Sequence, residues 1–124
     1  MPEALVPENW NINSGSRLLA SVDNEPLTDA APTRSTIVAT RLVNDLVVDI
    51  VCDKGCSAVI RPLPDADNAE VKGKPSDVLA IAAGGGAERG RYVDISAPQA
   101  EITVTKTEPG DMAAYLLAIR GIAR

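Results

Sequence analysis

Aliphatic residues come in short runs along this chain, and where a period can be read it is two. Glu101 to Thr107 is the clearest case: Ile102 and Val104 alternate with Thr103, Thr105 and Thr107, the pattern of a strand with one face on a core and the other in water. Arg91 to Ser96 alternates in the same way, with Val93 and Ile95 set against Tyr92, Asp94 and Ser96. Arg17 to Val22 and the β-branched run Ser35 to Val43 predict two earlier strands, separated by a loop rich in turn formers. Val78 to Ala82 predicts a short, fully apolar strand.

The stretch from Leu46 to Pro62 says most. Asp53-Lys54-Gly55 lies between two aliphatic runs, with the glycine where a three-residue turn needs a positive φ. A hairpin centred there places Cys52 opposite Cys56, Ile50 opposite Ala58 and Val48 opposite Ile60 on one wholly apolar face. The other face pairs Val51 with Ser57, Asp49 with Val59 and Val47 with Arg61, bringing Asp49 and Arg61 within reach of an ion pair. Pro62 and Pro64 end the second strand, because proline cannot continue a ladder. Residues 62–77 then read as a long polar loop and Gly84–Gly86 as a flexible connection.

Met112 to Ala123 admits two readings. Asp111 would cap a helix, but the first eight residues of the segment have no polar face. A strand pairing back on Glu101–Thr107 across the turn at Glu108–Asp111 closes the sheet and is the favoured reading. Seven or eight short strands then follow one another without βαβ alternation, which predicts an all-β fold: an antiparallel β-sandwich, jelly-roll-like. Residues 1–16 show neither regular period and read as an extended N-terminal arm, with 17–124 as a single β-sandwich domain. Trp10 either anchors that arm on a neighbour or caps its own domain.

Composition sharpens this picture. The 124 residues suit one domain, and 45% hydrophobic with 23% charged residues is a globular balance. There is no Phe, and Trp10, Tyr92 and Tyr115 are the only aromatics, so Val, Ile, Leu and Ala must fill a thin two-layer core. Seventeen acidic against twelve basic residues give a net charge of −5, which repels phosphate backbones and argues against a nucleic-acid partner. No apolar stretch approaches the ~20 residues of a membrane span, so no membrane partner is expected. The first ten residues carry acids and prolines where a secretory signal needs a basic and then an apolar region, which predicts no Sec-type export.

The candidate chemistry is thin. Without histidine the commonest general base and metal ligand is missing, and neither a Ser–His nor a Cys–His nucleophile can form. Asp65, Asp67 and Glu70 could act as paired carboxylates or suit Ca²⁺, but they sit in a Pro-flanked loop without aromatic walls or the glycine and distal glutamate of a calcium loop. A solvated loop is the favoured reading. Gly84–Gly86 with Arg89 and Arg91 looks only superficially like a phosphate cradle, because no Lys-Ser/Thr follows. A mobile loop, or one ordered against a neighbouring subunit, fits better, so Arg89 and Arg91 join Trp10 and Ile12 as interface candidates. Cys52 and Cys56 lack the further ligands of a zinc site and read as two small buried hydrophobes, with a disulfide between them as the alternative. The sequence therefore predicts a non-enzyme with no cofactor and no metal.

The segment from Tyr92 to Gly121, YVDISAPQAEITVTKTEPGDMAAYLLAIRG, resembles the ending of small β-sandwich structural proteins of tailed bacteriophage virions, of the capsid decoration (cement) type. There, too, a strand ending in Asp-Ile-Ser leads into a Thr/Val strand, a Pro-Gly turn and a closing apolar strand. The likeness covers roughly a quarter of the chain. It implies a homo-oligomer, a trimer favoured, that binds and stabilises a shell of major capsid protein or another virion protein, in a particle assembled in the host cytoplasm. A phage tail or head–tail connector component is one alternative. A carbohydrate-binding or adhesin module is another, though it has few aromatics to work with.

Overall fold

The computed structural model describes residues 16–23 and 25–123, which form eight strands and, among the described residues, no helix. The strands are β1 (Ser16–Asp23), β2 (Thr33–Ala39), β3 (Val43–Cys52), β4 (Cys56–Leu63), β5 (Leu79–Ile81), β6 (Gly86–Tyr92), β7 (Gln99–Lys106) and β8 (Tyr115–Ala123). They build two four-stranded sheets, β1-β8-β3-β6 and β2-β7-β4-β5, in which every ladder is antiparallel. Only β4 and β5 are consecutive strands of one sheet; every other connection crosses to the opposite sheet. That order is a jelly roll, as the sequence predicts. The arm at 1–16, with Trp10 and Ile12, lies outside the described residues except for Ser16, which opens β1.

The expected hairpin is not one. β3 pairs with β6 and β8, and β4 with β5 and β7, so the Asp53–Gly55 turn is an arch over the core. Val48, Ile50, Ala58 and Ile60 are all buried, as the alternation requires, but they meet from opposite sheets. A period of two tells a side chain which way to point and leaves its ladder partner open. Asp49 accordingly finds Arg89 and Arg120 instead of Arg61, and Arg61 lies opposite Glu101 of β7.

The C-terminal segment is a strand, but it does not pair back on β7. β8 lies between β1 and β3, paired on both sides. This explains its lack of a polar face: Tyr115, Leu117 and Ile119 point into the core, while Ala118 on the outer face is covered by the flanking strands.

Boundaries moved where tertiary pairing overrode local preference. Gly86–Tyr92 is strand β6, recruited by a ladder to Leu46–Cys52, although GAERGRY has little strand character of its own. The expected loop shrinks to a turn at Gly84 and Gly85, and the alternating run that follows is broken by positive φ at Asp94 and Ser96. Pro62 stays within β4, opposite Ala100. The polar loop then folds back along β4, where Ser76 and Ile60 bond reciprocally: the Ser76 amide donates to the Ile60 carbonyl at 2.8 Å and the Ile60 amide to Ser76 Oγ at 2.9 Å.

Candidate interaction surfaces

Arg89 and Arg91 sit two residues apart on β6, the free edge of the first sheet, and both turn to its outer face. Arg89 lies in register with Asp49 of β3 and donates from Nε to its Oδ1 at 2.6 Å; Arg120 of β8 donates from Nη1 to Oδ2 at 2.9 Å. The bond to Asp49 raises the pKa of Arg89. Arg91 reaches Asp45 Oδ2 with Nε at 3.1 Å and Nη2 at 2.5 Å. Asp45 is buried, and its carboxyl is held below the usual range first by the Asp94 amide at 2.9 Å and then by Arg91. The exposed Arg89–Asp49 pair stabilises the fold little, but together the two pairs fix two guanidinium groups in place. Val51 and Leu18, 46% and 40% exposed, lie on either side of this charged strip.

Beside it a groove opens between the sheets, because β5 has only three residues and leaves the upper part of β4 to the returning loop. Its volume is about 370 Å³. Val48, Ala58 and Ile60 form the floor, and Leu79 and Tyr92 the walls. Val78 and Val93, 62% and 63% exposed, stand on the rim with Lys74, Asp77 and Arg91. The Tyr92 hydroxyl donates to the Lys74 carbonyl at 2.9 Å and ties β6 to the loop.

The turn at the opposite end of β6 belongs to a set of loops held by carboxylates. Glu108 Oε1 accepts from the amides of Gly55 and Gly84, both at 2.8 Å. Asp53 accepts from Ala113 and Ala114, and Asp29 from Gly110 and from Lys106 Nζ at 2.5 Å, where the lysine side chain is almost wholly buried. These bonds depress all three pKa values, those to Gly84, Ala114 and Lys106 leading for Glu108, Asp53 and Asp29 respectively. The Gly84 amide is thus already engaged. Gly85 is required for close approach: a Cβ there would lie 2.3 Å from the Cys52 carbonyl oxygen.

Cys52 and Cys56 are buried free thiols with Sγ atoms 3.5 Å apart, and Cys52 donates to the Lys54 carbonyl at 3.1 Å. Burial, with Cys52 adding to it, pushes the Cys56 thiol up to about 12. Asp65, Asp67 and Glu70 are exposed, in a loop whose Asp65 and Asn68 side chains accept amides two residues on. Among the described residues no group of three or more His, Cys, Asp or Glu is placed to hold a metal ion.

Sequence reasoning singled out Arg89 and Arg91 as interface candidates but pointed neither to Arg120 beside them nor to the groove. Arg120 carries no signal until β8 is known to lie beside β3. Val78 and Val93 each lie next to an aspartate, Val78 at the start of the apolar run and Val93 within the alternating one, which is the one trace of the rim in the sequence.

No family model and no curated protein matches the sequence. Solved structures share its fold. PBSX exported protein XepA is similar over 95% of this chain with a TM-score of 0.68 at 14% identity, and the chain spans 40% of that protein's length. The pre-peptidase C-terminal domain of collagenase from Bacillus anthracis is similar over 82% of this chain and 89% of that domain, with a TM-score of 0.54 at 12% identity. At these identities the likeness is one of fold.

Proposed function

We propose that this chain is a non-enzymatic structural subunit of a phage particle, and specifically a capsid decoration (cement) protein that binds a shell of major capsid protein as a homotrimer. The observation that carries this reading is the outer face of the first sheet, where Asp49 and Asp45 hold Arg89, Arg120 and Arg91 in place beside the half-exposed aliphatics Val51 and Leu18. Arginine is favoured at protein interfaces, and guanidinium groups ordered before binding lose less entropy on docking. The reading draws support from the likeness in fold to PBSX exported protein XepA. No helix among the described residues is long and apolar enough to cross a membrane. The reading places the chain in a virion assembled in the host cytoplasm.

Two measurements test it. Light scattering on the purified chain should give the mass of a trimer. Co-sedimentation with shells of major capsid protein from the same phage should show saturable binding, weakened about tenfold, or ~1.4 kcal/mol, by Arg89→Ala with Arg91→Ala. A chain that stays in the supernatant, or that binds only tail or connector proteins, removes the decoration reading.

A further inference from the structure

The groove between β5 and β6 is a cleft into the core with two valines standing largely in water on its rim. We propose that its occupant is this chain's own N-terminal segment, with Trp10 as the side chain that fills it.

The register shows that the segment starts in reach. Ser16 lies opposite Ile122 of β8, Ile122 lies opposite Asp45 of β3, and the β3–β6 ladder runs to Leu46 opposite Tyr92, so Val93 continues it beside Asp45. Ser16 and the groove mouth therefore lie on one row across the first sheet, three strand spacings or about 14 Å apart at ~4.8 Å each. β1 runs away from this end, so the chain before Ser16 leaves at the end where the groove opens. Trp10 is six residues before Ser16, and six extended residues span about 20 Å.

The chemistry matches as well. The segment 1–15 carries Glu3 and Glu8 and neither Lys nor Arg, and Lys74 stands on the groove rim. An indole buries ~150–250 Å² and keeps one N–H to satisfy. The groove supplies aliphatic walls from Leu79, Val78 and Val93 and the edge of Tyr92.

Because Trp10 is the only tryptophan, the chain's tryptophan emission reports on the surroundings of this one side chain. In the intact chain its emission should be blue-shifted from that of the denatured chain, and unchanged on dilution. Val78→Asp with Val93→Asp changes two exposed positions and sets carboxylates against Glu3 and Glu8. That variant should lose the blue shift and show a several-fold rise in acrylamide quenching, with the β circular dichroism spectrum retained. If the double variant loses that spectrum, Lys74→Glu supplies the same readout from an exposed residue. Three results would each overturn the proposal: denatured-like emission in the intact chain, a blue shift unmoved by the rim variants, or one that disappears on dilution, which would give the groove to a second copy's segment. All are read on the isolated chain, so failure here would leave capsid binding untouched.

Discussion

The carboxylate of Glu108 accepts the amide hydrogen of Gly84 at 2.8 Å, so the connection between β7 and β8 holds the one between β5 and β6. With Asp53 bonded to Ala113 and Ala114 and Asp29 to Gly110, carboxylates fasten the loops at this end of the sandwich to one another. All three titrate below the ordinary carboxylate range in the folded chain. Groups with depressed folded pKa values contribute stability that is complete above their unfolded values and is lost as pH falls through the folded ones. The melting temperature should therefore be flat through neutral pH and drop below about pH 4. Glu108→Gln should melt lower at pH 7 and show a shallower acid limb when melting is followed against pH.

The two turn glycines should separate in a urea titration. Gly84 has φ +93° with open space where a Cβ would go, so Gly84→Ala should cost only the left-handed backbone penalty of ~1–2 kcal/mol. Gly85 has φ +86° and a Cβ added there would lie 2.3 Å from the Cys52 carbonyl oxygen, so Gly85→Ala should cost clearly more, or abolish folding. Equal midpoints for the two variants would contradict the packing of this turn on the β3–β4 arch.

A double-mutant cycle distinguishes the arch from a hairpin. Asp49→Ala with Arg120→Ala should show a coupling of ~0.2–1 kcal/mol, as exposed pairs do, whereas Asp49→Ala with Arg61→Ala should be additive.

The thiols should be silent in the folded chain. With Cys56 pushed up to about 12 and both sulfurs buried, a thiol reagent at pH 8 should label neither until denaturant is added. Fast labelling in native buffer would mean that the arch opens.

How much of this was legible follows a simple division. Side-chain direction was readable: Val48, Ile50, Ala58, Ile60, Ile102 and Val104 are buried where their alternation put them, since water and core select between two faces. Pairing was not, because an apolar face is satisfied equally by a neighbour in its own sheet and by one across the core. The Asp49–Arg61 pair failed for that reason, while Arg89 and Arg91 were assigned to a loop, because glycines at 86 and 90 hide a strand that exists only through its ladder to β3. The groove was invisible for the same cause. It depends on β5 stopping after three residues, a length set by the returning loop and not by local preference.

The central position of β8 has a consequence for how the molecule is made. Its ladders join Ser16 to Ile122 and Cys52 to Tyr115, partners separated by most of the chain, and β1 contacts its sheet only through β8. Closing such loops before any contact rewards them is slow. On the ribosome, β1 must therefore wait without its ladder partner, and β3 with only its β6 side paired, until β8 emerges to slot between them. Until β8 arrives, the open edges of β1 and β3 that it covers are exposed to aggregation.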